Sequence, residues 1–131
     1  MTSLSPQQTV DFKARLRGRA AQLRDEIQQT LERSSEESHV RIAEQARDME
    51  DDAFSNLIVD VNLAEIDRDS AELRRIDSAL NRLSAGSYGI CVDCGQMIPL
   101  ARLEAEPTAC RCVRDQEIYE RTHVSAGTPS L

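Results

Sequence analysis

Along the first third of the chain, apolar residues return at helical spacing. Phe12, Leu16, Ala20, Leu23, Ile27 and Leu31 follow one another at steps of four, four, three, four and four, which puts them on one helical face. Ser5-Pro6 marks the start, because proline suits the first helical position, where its missing N–H costs nothing. The stripe weakens through Ser34, Ser35 and Ser38, then resumes with Ile42, Ala46 and Met49. A second stripe runs through Val59, Leu63, Ile66, Ser70, Leu73, Ile76, Leu80 and Leu83 at near-heptad spacing, and Gly86 follows where a left-handed cap belongs. Two such stripes bury each other as an antiparallel coiled coil.

The position of the reversal follows by elimination. No Pro or Gly interrupts residues 19 to 85, so only the acid-rich stretch 47–53 offers a turn: aspartate competes for nearby backbone N–H groups and suits turns and caps. A reversal near residue 50 pairs residues 54–84 with 16–46, in arms of roughly 45 Å at 1.5 Å per residue. The competing reading is one long helix that dimerises with a second chain. After Gly86 the texture changes. Gly89, Gly95, Pro99 and Pro107 punctuate a loop-rich module, residues 112–122 return to helical spacing, and the end of the chain has no periodicity. The expected organisation is a coiled-coil segment over 1–86 with its tip at 47–53, a small module with a C-terminal helix over 87–123, and a flexible tail over 124–131. The fold class is mainly α.

Composition agrees with a thin seam rather than a thick core. Only 3% of the 131 residues are aromatic and none is Trp, while 30% are charged. Carboxylates outnumber Lys and Arg by 23 to 16, for a net charge of −7, which opposes autonomous sequence-specific binding to DNA. No run approaches the roughly 20 apolar residues of a membrane span, and the N-terminus lacks a secretory signal, so a cytoplasmic location is expected.

In that compartment four cysteines point to a metal before disulfides. Cys91-Val92-Asp93-Cys94-Gly95 is a knuckle in which two sulfurs converge and the glycine permits the tight turn. A second pair follows at the distance of a Cys₄ zinc site, but it reads Cys110-Arg111-Cys112 rather than CxxC. Two completions stand open: Cys110 with Cys112, or Cys112 with Asp115, since residues three apart at a helix start share a face. His123 is a more distant competitor. One structural zinc is expected, because a module of about forty residues with so few rings cannot bury enough apolar surface to hold itself. No positioned acid, base or cleft points to catalysis. Two other functions fit the cysteines: a zinc-ribbon nucleic-acid binder using Arg102, Arg111 and Arg114, or a thiol redox sensor using Cys91 and Cys94.

The run GSYGICVDCGQMIPLARLEAEPTACRC resembles the DksA/TraR family of C4-type zinc-finger transcription factors, and the likeness is specific over residues 73–121. The intramolecular hairpin implies a monomer, and the resemblance implies a regulator that binds RNA polymerase, inserting the coiled-coil tip through the secondary channel toward the active site. That family's regulators carry Asp-x-x-Asp-x-Ala at the tip, and Asp48, Asp51 and Ala53 stand at that spacing here. Two departures matter. Asp115 stands where the family has its fourth cysteine, with Cys110 as an extra thiol. Glu106 and Gln116 replace the bases that members responsive to ppGpp carry, so the resemblance implies no ppGpp site there.

Overall fold

The computed structural model describes residues 4–45 and 52–127, with side chains over 4–36 and 60–123. Among the described residues four helices follow one another: α1 (Pro6–Gln45), α2 (Asp52–Ala85), α3 (Leu100–Ala105) and α4 (Val113–Gly127). Among the described residues the only strand-like pairing is one antiparallel bridge between Ile90 and Met97. The mainly α class expected from periodicity is the observed one.

Local chemistry sets the helix ends. Ser5 Oγ accepts the Gln8 N–H at 3.1 Å while Gln8 Oε1 accepts the Ser5 N–H at 2.9 Å, a reciprocal capping box that starts α1 at Pro6. Gly86, at φ 79°, closes α2. Its N–H donates to Leu83 O at 3.3 Å and the Ser87 N–H donates to Arg82 O at 2.9 Å, the paired bonds of a Schellman cap.

The chain packs as two compact units: Gly18–Arg75, and Met1–Arg17 with Ile76–Leu131. In the first, α1 and α2 run antiparallel. Arg19 pairs with Glu72 at 2.7 Å and Arg33 with Glu65 at 3.1 Å, so one number rises as the other falls. The turn expected near residue 50 lies outside the described residues, as do Asp48 and Asp51; Ala53 lies in α2 with its side chain outside them.

The seam departs from the apolar stripes at two places. Thr30 is buried (4% exposed) while Leu31 is half exposed (50%), and Asn62 is buried (4%) while Leu63 is exposed (54%). Asp69 is buried where Ser70 was expected. The reason is phase. Ala20, Leu23 and Ile27 set a three-four alternation whose next step is residue 30. Counting back from Ile76 through Leu73 and Ile66 gives 69 and 62. Polar groups in the seam find partners. The Thr30 hydroxyl donates to Glu26 O at 2.9 Å, and among the described residues no buried side-chain nitrogen or oxygen lacks one.

The second unit has a core of larger side chains. Phe12, Leu16, Ile76, Ala79, Tyr88, Ile98, Leu103 and Ala109 are buried. Phe12 and Tyr88 meet at 5.6 Å between centroids with rings tilted by 50°. The Tyr88 hydroxyl donates to Pro107 O at 2.8 Å, and burial pushes its pKa up to about 12. Arg15 donates to Glu104 O at 2.8 Å and Arg82 to Thr108 O at 3.4 Å, pinning the loop on either side of Pro107. These contacts hold the segment that carries the cysteines.

Candidate metal centre

The knuckle is built by backbone hydrogen bonds. The Cys91 N–H donates to Gln96 O at 2.8 Å and the Gly95 N–H donates to Cys91 O at 3.0 Å, a turn that needs the positive φ of Gly95 (75°). The Ile98 N–H donates to Gly89 O at 2.8 Å and closes the loop's base. The second half is joined to the first where the Val92 N–H donates to Cys110 O at 2.9 Å. Cys112 directly precedes α4, its carbonyl accepting the Gln116 N–H at 2.9 Å, and Asp115 lies in the first turn of that helix.

These elements gather four donors. One atom each from Cys91, Cys94, Cys112 and Asp115 lies within 4.8 Å of the other three, and the Cys91 thiol donates to Asp115 Oδ2 at 3.1 Å. The edge of a tetrahedron of sulfurs around zinc is about 3.8 Å for bonds of about 2.3 Å, so the cluster is of the right size for one ion. Cys110 is not in this group. Its sulfur accepts a hydrogen bond from Arg111 Nη1 at 3.4 Å. His123 is not in it either, being stacked on the Tyr119 ring at 3.8 Å with 17° between planes.

Electrostatics within the cluster favour a cation. Burial opposes ionisation of Cys91, but N–H groups of Cys94, Cys112 and Asp93 aimed at its sulfur outweigh that and hold the thiol below its usual range. Cys94 receives the Gln96 N–H, yet Asp115 and the sulfur of Cys91 push it up to about 12. Thiol hydrogen bonds, first from Cys91 and then from Cys94 and Cys112, hold Asp115 below the ordinary carboxylate range. Four groups that cannot all ionise side by side become compatible once a dication lies among them. Sulfur with one carboxylate oxygen is a zinc-type donor set.

One feature around the site was not foreseen as such in the sequence. Arg111, between the second pair of cysteines, donates to Asp93 of the knuckle at 2.8 Å and lies 3.9 Å over the Tyr119 ring. Its carbonyl accepts from Arg102 Nε at 2.9 Å. A signal was present in the opposite charges that each cysteine pair encloses, Asp93 and Arg111.

Known proteins share both the module and the rest of the fold. Residues 86–121 match the family described as the prokaryotic dksA/traR C4-type zinc finger. The RNA polymerase-binding transcription factor DksA of Caulobacter vibrioides is 36% identical over 110 residues, covering 84% of this chain and 74% of that protein. The protein of the same name from Escherichia coli is 28% identical over 113 residues, covering 86% and 72%. The structure of transcription factor DksA2 from Pseudomonas aeruginosa superposes with a TM-score of 0.76 at 28% identity, over 91% of this chain and 88% of that one. A C4-type finger and a compact four-donor cluster agree on one zinc ion as cofactor. With likeness running from the paired helices through the cysteine module, the chain belongs to the DksA/TraR family of C4-type zinc-finger proteins.

Proposed function

We propose that this chain is a transcription regulator that binds RNA polymerase directly and has no catalytic activity of its own. The observation that carries the reading is the antiparallel pairing of α1 and α2, bridged by Arg19–Glu72 and Arg33–Glu65, in a chain related to proteins named for binding that enzyme. A pair of helices about 20 Å across passes through a channel that excludes a globule. The arm enters the secondary channel and presents Asp48, Asp51 and Ala53 near the polymerase active site. There the carboxylates pair with basic groups or with the water shell of the catalytic Mg²⁺. A net charge of −7 supports binding to a protein surface rather than to DNA by sequence. Among the described residues the buried polar groups of the seam have partners within one chain, which supports a monomer. Glu106 and Gln116 offer no base to a phosphate, so ppGpp does not bind there.

The zinc is structural, held by Cys91, Cys94, Cys112 and Asp115. Zinc supplies cross-linking, while the residues do the rest: the Cys91 knuckle orients two sulfurs, and Cys112 with Asp115 ties the start of α4 to it.

Capture of core polymerase with the tagged full chain, paired with transcription in vitro, tests the reading. Asp48→Asn/Asp51→Asn is expected to retain binding and to lose the effect on transcription. Unchanged transcription by that variant would remove the tip from the mechanism. Failure of the wild-type chain to capture polymerase would end the proposal.

A further inference from the structure

The donor cluster leaves one thiol over. Cys110 lies two residues before Cys112, is half-buried, and is tied to the knuckle through its carbonyl at 2.9 Å from the Val92 N–H. Its sulfur does not join the group of four but is engaged by Arg111 Nη1 at 3.4 Å. That guanidinium is held by Asp93 on the knuckle at 2.8 Å and by the Tyr119 ring of α4 at 3.9 Å, while Arg102 of α3 holds the backbone carbonyl of the same residue at 2.9 Å. The chain thus places a carboxylate at the site and an additional thiol beside it, with an arginine holding the thiol.

This arrangement is under chemical tension. Zinc binds thiolate in preference to carboxylate. Cys110 stands two residues before the donor Cys112 on a segment bonded to the knuckle, so an ion in the cluster would favour its sulfur over Asp115 once the Cys110 side chain turned inward. The hydrogen bond from Arg111 opposes that preference by stabilising the sulfur where it is. We propose that Cys110 is a reserve ligand that replaces Asp115 at the metal centre, with Arg111 as the latch that sets which of the two is bound. The inference rests on the metal-centre reading above. In the exchange the metal–oxygen bond to Asp115 breaks, a metal–sulfur bond to Cys110 forms, and the thiol proton passes to solvent. No electron moves. The structural consequence is local: Asp115 is the one donor within α4, so the exchange frees the helix's first turn from the site while Cys112 still precedes it.

Cobalt substitution reads the ligand set directly, since the sulfur-to-cobalt charge-transfer band grows with each thiolate. Wild-type full-length protein loaded with Co²⁺ is expected to show a three-thiolate band that Cys110→Ser leaves unchanged. Asp115→Ala is expected to raise the band by about one third, the step from three thiolates to four, and Asp115→Ala/Cys110→Ser to return it to the wild-type level. Arg111→Gln is expected to move the otherwise wild-type band upward. Mapped alkylation of the zinc-loaded protein gives a second readout: Cys110 reacts in the wild type and is protected in Asp115→Ala. A weaker band in Cys110→Ser alone would mean that Cys110 is already the resting ligand and would overturn the proposal. So would an Asp115→Ala protein that stays at three thiolates with Cys110 still reactive. An Arg111→Gln band identical to wild type would overturn the latch. Absence of any cobalt band in the wild type would instead sink the metal-centre reading itself.

Discussion

The two compact units of this chain are held together by different means. In the unit that carries the cysteines, every buried side chain among the described residues is apolar or is Tyr88 or Cys91: Phe12, Leu16, Ile76, Ala79, Ile98, Leu103 and Ala109 complete the set. In the unit spanning 18–75, Ala20 and Leu23 share the interior with Thr30, Asn62 and Asp69. One has a small apolar core and a cluster of metal donors. The other has, among the described residues, a seam with buried polar layers, which are expected to fix how the helices pair while contributing little cohesion. The contrast lies along a single pair of helices, since α1 and α2 each contribute residues to both units.

The contrast is sharpest if the metal is taken away. Removing zinc with a chelator, or making Cys91→Ser, is expected to cost the cysteine-bearing unit about 3 kcal/mol or more, because the module's own apolar burial is slight. Amide exchange over 88–116 measures it, and unchanged protection there would show that the core alone suffices. Next in size is Leu103→Ala. This side chain is fully buried, and its truncation is expected to cost about 2–5 kcal/mol by denaturant unfolding. Leu31→Ala, at a nominally similar residue of the other unit, is expected to stay within about 0.5 kcal/mol of wild type because its side chain is half exposed. Equal losses at the two positions would erase the distinction.

The fold was legible in the sequence wherever one strong signal acted alone. Gly86 marked the end of α2 because only a left-handed residue completes that cap, and Ser5-Pro6 marked the start of α1. The knuckle was legible from Cys91, Cys94 and Gly95. The second half of the cluster was not, since CxC admits two completions and spacing cannot choose between them. The gathering of Asp115 depends on α4 beginning at Val113, which puts residue 115 in the first turn beside Cys112. The seam was misread at Leu31 and Leu63 for a different reason. Reading by hydrophobicity selects the nearest apolar residue, whereas the phase of a paired helix is set by its best-packed stretch and carried forward at 3.5 residues per turn. Asp48 and Asp51, expected in an acid-rich turn and in the tip motif that the resemblance implies, lie outside the described residues.

The polar layers can be tested by removing them. Asn62→Leu places an apolar side chain at a seam position that now buries an amide, and is expected to raise stability by about 1–2 kcal/mol. Asp69→Leu should act in the same direction. The cost falls on uniqueness, because the variant helices gain neighbouring registers, read as broadened or doubled methyl resonances at Ile66 and Leu73. A variant of lower stability would show that the buried amide contributes net cohesion and that the two units resemble each other more than their burial suggests.

The smallest expected effect concerns acid. Arg19 Nε and Nη2 both donate to Glu72, at 2.7 and 3.1 Å, a two-pronged contact across the seam of the 18–75 unit. That hydrogen bonding holds the Glu72 carboxyl below its ordinary value of 4.5, against a smaller opposing effect of burial. A carboxyl whose folded-state pKa is depressed stabilises the fold above its unfolded pKa, and the contribution is lost as pH falls through the folded value. The paired helices should therefore lose stability below about pH 4.5, where the unfolded chain takes up the proton first. Because the arginine is well exposed, solvent screening keeps the loss under about 1 kcal/mol. Glu72→Gln should flatten that part of the acid profile while leaving the Tyr88–Pro107 unit unaffected. A profile as steep as wild type would place the acid sensitivity of the helices in some other carboxylate.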